Sequence, residues 1–304
     1  AAYGTEKFMD YGFMEAMMRS TTLPARDLWY SEGHINYYYG GQYFAVFLTK
    51  LSHTKVELTY NLMRTFVAGL AFAMPFSLVY QMMSDRMKGQ QKSEKVIKGL
   101  PFAAGFTAGT AVSIAGNMHY VIYAQIIPLI EKLTGKEVSS YWFPDATRYI
   151  GYNPYREEDR TIHEFPCYSF VLGDLHAHVV NIMFVLLVIA FLYVWLRGVR
   201  KKTVPVETSM KDGKFWKEQL LMTHLLVISA LLGMFQWTNF WDFVIYYVVT
   251  LGTVLFANII RFQGKIKKIM VVTFAQMAEI YLLAYLVILP FTLQFDTMVD
   301  GIGI

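Results

Sequence analysis

The residues best equipped for chemistry lie in "GDLHAH", where Asp174, His176 and His178 follow "HEFPCYSFVL" and precede a long apolar run. On a continuous helix Asp174 and His178 stand four residues apart and share a face, while His176 points about 200° away. A carboxylate and an imidazole at that spacing can chelate a divalent metal such as Mg or Mn, or pass a proton between them. The plainer alternative makes Asp174 a partner of the helix N-terminus and the histidines hydrogen-bonding groups at a membrane surface. Both readings stay open at this point.

Further polar groups cluster in short segments. Glu6 and Asp10 sit in "TEKFMD", His34, Asn36, Tyr37, Tyr38 and Tyr39 in "GHINYYYGG", and Asn117 and His119 in "GNMHY". Arg148 lies in "TRYI", His163 and Glu164 in "TIHEFP", and Asn239 and Asp242 in "QWTNFWDF". Any one of these is ordinary at the end of a membrane span. Carboxylates, imidazoles and an arginine facing one compartment suit proton transfer and the stabilisation of growing negative charge.

The elements that must position them are transmembrane helices. The 304 residues are 55% hydrophobic and only 16% charged, against about 25% charged in a soluble domain. Several segments are apolar over the ~20 residues that cross a bilayer. Hydropathy places six spans, at about 58–83, 97–116, 168–197, 218–236, 240–262 and 268–292. In the second, Gly105 and Gly109 form a G-x-x-x-G pair suited to close helix packing. The expected fold is an all-α polytopic membrane protein, with residues 1–304 as a single transmembrane domain. The lone cysteine, Cys167, excludes an intrachain disulfide and a multi-cysteine metal site. There is no phosphate-cradling glycine loop between a strand and a helix, so nucleotide and nucleic-acid enzymes are disfavoured.

Charge then sorts the two sides. Loops 84–98, 197–217 and 261–268 hold 16 of the 27 basic residues. Basic loops stay in the cytoplasm, which makes this a multi-pass plasma-membrane protein with its acidic segments outside. Residues 1–57 and 117–167 fall on that outer side and carry 13 acids between Glu6 and Glu164. The stretch 37–51 is apolar but too short to span, and is expected to lie in the outer interface, anchored by its tyrosines. Start at Ala1 and end in a polar loop suggest a piece of a longer chain. Glu279 stands near the middle of the last span, where an unpaired carboxylate is costly. His224 and Arg64 are its candidate partners, and a proton or ion path is the sharper alternative.

"EKFMD", "INYYYGG", "GN" at 116–117, "HEFPCYSFVLGDLHAH" and "TNFWD" together resemble the prokaryotic polytopic membrane proteins named for their YYY motif, a family of unknown function. That resemblance implies a further span ahead of the E-K-x-M-D loop. A wider similarity of element order is to the C-type membrane glycosyltransferases, in which an acidic outer loop precedes an interfacial helix. It implies a polyprenyl-phosphate sugar donor, a glycan, lipid or protein acceptor, and an active site facing away from the cytoplasm. Those relatives often carry an acidic pair where this chain has Thr5-Glu6, with Asp10 four residues on. Under that resemblance Asp10 or Glu6 is the base. Arg148, or a metal on Asp174 and His178, meets the leaving phosphate, with His163 and Glu164 orienting either group. Tyr37, Tyr38, Tyr39, Asn36, Asn239 and Asp242 line the donor site or mark the interface. A transporter built on Glu279, and a metallohydrolase built on Asp174, His176 and His178, are the competing functions.

Overall fold

Long apolar runs dictate the largest elements. In the computed structural model, which describes residues 7–90, 93–148, 152, 155, 160–201, 209–220 and 222–296, the regular elements are helical, apart from two isolated β-bridges. Among the described residues four helices are long and apolar enough to cross a membrane: α3 (Val56–Met87), α7 (Ala177–Lys201), α10 (Phe240–Phe262) and α11 (Ile266–Thr292). A fifth is counted if α8 (Gly213–Leu220) and α9 (Thr223–Thr238), bent by 48°, form one span. Glu6, residues 202–208 of a basic loop and the tail from 297 lie outside the described residues.

Two of the six expected spans differ. The segment 97–116 is α4 (Glu94–Ser113), 20 residues long. Glu94, Lys95, Lys98 and Pro101 dilute its first half, and it is not among the four or five. The segment 168–197 is not one helix. Pro166 opens a short α6 (Pro166–Leu172), which ends at Gly173 with φ 80° and ψ 38°. That left-handed turn suits glycine, and α7 starts afresh at Ala177. Asp174 therefore precedes the helix, and its helical i, i+4 relation to His178 does not exist.

The chain divides into two compact units. One holds residues 1–70 and 174–304, the other 71–173, and α3 begins in the first and ends in the second. In the first unit α7, α9, α10 and α11 bury a shared core that includes Val188, Leu192, Leu232, Phe235 and Ile280. Gly233 lets α9 meet α11, because a Cβ there would stand 2.5 Å from the Ala284 carbonyl oxygen. The two ends of this bundle differ in chemistry. At one end Arg197, Arg200 and Lys201 finish α7, Lys214 and Lys217 lie on α8, Arg261 is in the last turn of α10, and Lys265, Lys267 and Lys268 surround the start of α11. At the other end come the first turn of α7, the join of α9 to α10 and the end of α11.

Over that second end lie α1 (Lys7–Arg19) and α2 (Gly40–Leu51). The 12 residues of α2 are about 18 Å long, too short to span. The helix buries Gln42, Ala45, Val46 and Thr49 and leaves Phe47 and Leu51 outward.

In the second unit α4 packs on the later part of α3. A Cβ at Gly105 or Gly109 would come within 2.8 Å or 2.9 Å of the Phe76 or Phe72 carbonyl oxygen, as a close small-residue crossing requires.

Candidate functional site: a buried carboxylate–imidazole pair

Asp10 lies on the buried side of α1 and is fully enclosed. Its Oδ1 accepts from Gln42 Nε2 at 2.9 Å, and its Oδ2 accepts from the Leu175 backbone N–H at 3.2 Å. Oδ2 also lies 3.1 Å from Nδ1 of His176, itself only 7% exposed. A carboxylate can only accept hydrogen bonds, so Nδ1 of His176 is the donor in this contact. Both Asp10 oxygens are thus committed, and the group holds the imidazole in one orientation and one tautomer.

The local folding explains how these pieces meet. Gly173 stops α6, and in the non-helical residues 174–176 the Leu175 N–H and C=O are left to side-chain partners. Gln42 clamps that segment, since its Nε2 also donates to the Leu175 carbonyl at 2.9 Å. Its Oε1 is buried with no donor reaching it among the described residues.

The glycines of "YYYGG" let α2 come this close. A Cβ on Gly41 would lie 2.9 Å from Val180 of α7, and one on Gly40 would lie 2.9 Å from Trp237 and Thr238 of α9. Each tyrosine before them packs on different elements. Tyr37 meets Phe13 of α1, Tyr38 meets Phe240 and Phe295, and Tyr39 meets Trp237 and Phe291. Burial pushes the Tyr39 phenol up to about 12, so it serves as a neutral packing group rather than an acid or base.

Next to this lies a second polar knot. Asn181 in the first turns of α7 accepts from Thr238 Oγ1 at 2.7 Å and donates to Asp242 Oδ2 at 2.6 Å. Asn239 donates to the same oxygen at 2.8 Å. The T-N-x-W-D segment is therefore a clasp joining α7, α9 and α10. Asn36 brackets the end of α11: its Nδ2 donates to the Asp296 carbonyl at 2.8 Å and its Oδ1 accepts the Asp296 N–H at 3.0 Å.

Asp174 and His176 are buried, and the His176 and His178 rings are 5.9 Å apart. Tyr60 of α3 lies within electrostatic reach of both Asp10 and Asp174. Among the described residues no group of three His, Cys, Asp or Glu side chains gathers as a metal site needs.

The remaining candidates belong to the second unit. The His163 N–H donates to the Thr147 carbonyl at 3.0 Å, which sets His163 beside Arg148. Glu164 follows as an exposed residue. The Arg148 guanidinium lies 4.6 Å over the Trp142 ring, and its Nη1 is buried without an acceptor among the described residues. Asn117 Nδ2 donates to the Ala146 carbonyl, and His119 Nδ1 lies 3.2 Å from the Tyr141 hydroxyl. Arg64 donates to Asn61, and His224 is exposed in the first turn of α9 at the basic end, so neither pairs with Glu279. Glu279 Oε2 is buried with no donor among the described residues.

Gln42, Asn181 and Thr238 are the site residues that sequence reasoning passes over. Gln42 and Asn181 carried a usable signal, being amides inside otherwise apolar helical runs, where polar side chains are expensive.

An all-helical chain with several membrane-length apolar helices and an enclosed carboxylate–imidazole pair at one bundle end is a polytopic membrane protein. The chain belongs to a known family of that class: residues 1–304 match the family described as Uncharacterized membrane protein (DUF2298). Comparisons with curated proteins and with solved structures give no match.

Proposed function

We propose that this is an integral-membrane glycosyltransferase that moves a sugar from a polyprenyl-phosphate carrier to an acceptor hydroxyl on the non-cytoplasmic face. The observation that carries the reading is the Asp10–His176 pair, with the carboxylate saturated by three donors and the imidazole fixed by it. Inverting transfer needs a base beside the acceptor hydroxyl. The His176 imidazole, oriented by Asp10, takes that proton as the acceptor oxygen bonds to the anomeric carbon. The bond from that carbon to the phosphate oxygen breaks, and its electrons leave with the lipid phosphate. Asp10 is then the positioning residue rather than the base. Gln42, whose Nε2 donates to Asp10, offers in its Oε1 a buried acceptor for a substrate hydroxyl. In the second unit Arg148 has a buried guanidinium nitrogen with no acceptor among the described residues, a donor of the type a phosphate oxygen takes.

The charge at the bundle ends supports one sidedness. Lysines at the start of α11 run against the helix dipole, so helix electrostatics do not account for them. Retention of basic loops in the cytoplasm does, and this puts the Asp10–His176 end outside, with a plasma-membrane location and α4 as a further span. The test is transfer in proteoliposomes from a radiolabelled polyprenyl-phosphate sugar to a hydroxyl acceptor. Product of inverted anomeric configuration supports the reading, and hydrolysis or no turnover across a panel of donors counts against it.

A transporter is the second reading, favoured by one observation: Glu279 Oε2, midway along α11, is buried without a donor among the described residues. Ion or solute flux without a chemical product, lost in Glu279→Gln, would establish it.

A further inference from the structure

We propose that the loop between α1 and α2 forms a separate site that binds a phosphate oxyanion at the membrane surface. A cavity of about 480 Å³ opens there, within the ~300–1,000 Å³ usual for small-molecule sites. Its donors are Arg19, Arg26, His34 and the hydroxyl residues Ser20, Thr21 and Thr22. The one acid in the lining, Asp27, has Oδ1 engaged by the Trp29 and Tyr30 N–H groups at 2.7 Å and 3.1 Å. Positive charge therefore outweighs negative in the cavity.

The walls are built rather than incidental. Arg26 and His34 face each other across an antiparallel bridge. That bridge is closed by Ile35 N–H to Ala25 O at 2.9 Å and Asp27 N–H to Gly33 O at 3.1 Å. Ala25 and Ile35 are buried and pin the loop down. Arg19 spends its Nε on the Glu15 carbonyl, which leaves both terminal nitrogens for a ligand. Among the described residues Arg26 makes no side-chain hydrogen bond or ion pair. A planar fork of donors matches phosphate oxygens.

The surroundings place this cavity at a lipid surface. The loop tip exposes Leu28, Trp29 and Tyr30 by 47%, 62% and 63%, the residue types that sit at headgroup level. On α2 Phe47 and Leu51 are exposed apolar residues as well. The shared ligand chemistry is a phosphate mono- or diester, supplied by a lipid headgroup or by free phosphate.

The test uses the full chain in an uncharged detergent. Thermal unfolding is followed while inorganic phosphate is titrated in one arm and short-chain phosphatidylglycerol in the other. The expected result is a saturable rise in Tm in at least one arm, weakened at least tenfold in Arg26→Gln and abolished in Arg19→Gln/Arg26→Gln. Lys214→Gln/Lys217→Gln, which removes the same charge at the opposite bundle end, keeps the rise. Saturation at lower concentration in the lipid arm assigns the site to a headgroup, and the reverse assigns it to free phosphate. No saturable rise in either arm, or one that survives in Arg26→Gln at full strength, overturns the proposal. The readout is binding, so its outcome is independent of whether the protein transfers sugar.

Discussion

Asp10 and His176, 166 residues apart in the chain, meet at 3.1 Å inside the protein. The carboxylate is closed off by Gln42 and the Leu175 N–H as well as by the imidazole, so α1, α2 and residues 174–176 are tied at one point. Exchanging Gln42 for Leu removes one of Asp10's donors and the clamp on residues 174–176. Stability should fall by about 1–3 kcal/mol, the cost of leaving buried polar groups unmet. Thermal unfolding in detergent checks this, and an unchanged Tm would show that the clamp does not hold the segment.

The close approach of α2 gives a second expectation. Gly41→Ala puts a methyl group 2.9 Å from Val180, and overpacking of this kind costs about 1–3 kcal/mol. The shift moves Gln42 with it, so transfer activity should fall along with Tm. A Gly69→Ala control, where a Cβ meets nothing within 4 Å, should leave both unchanged.

Metal removal separates two chemistries at the same residues. If Asp10 and His176 carry the proton transfer and Arg148 meets the phosphate, EDTA leaves transfer activity intact. Loss on chelation, restored by Mg or Mn, would return Asp174, His176 and His178 to a ligand role.

Cys167 provides a pH-dependent probe. Burial pushes its thiol up from the ordinary value, and only the thiolate is alkylated. A raised value means less thiolate at any given pH, so iodoacetamide should react more slowly with the folded chain at pH 8 than with the unfolded chain. The folded rate should keep climbing with pH after the unfolded rate has levelled off. Equal rates would show that α6 does not shelter the thiol.

Glu279→Gln discriminates the two functional readings. Glycosyl transfer should be unaffected, because Glu279 sits midway along α11, away from the end that holds Asp10. A flux that disappears in this variant would favour transport.

Much of the fold was legible because it rests on hydropathy: the span read at 240–262 is α10 to the residue. The break at Gly173 escaped because apolar residues run through both flanks, although "LGD" carried a helix-stop signal that hydropathy averages away. The lost break also misled the site reading, since it placed Asp174 on a helix with His178. Asp10 was picked out by its type, but its pairing with His176 could not be, because no local spacing encodes a contact between residues so far apart. Gln42 and the glycines before it were read as parts of a surface helix. Their role becomes visible only when α2 is seen lying against Val180 and Thr238.

A double-mutant cycle on single-turnover transfer in proteoliposomes, with Asp10→Asn, His176→Gln and the pair together, tests the core of the mechanism. If the two residues act as one unit, each single change costs about 10²–10⁴-fold in rate, and the double variant is no slower than the worse single. Full activity in His176→Gln, or losses that simply multiply, would mean that the buried pair is not the proton acceptor.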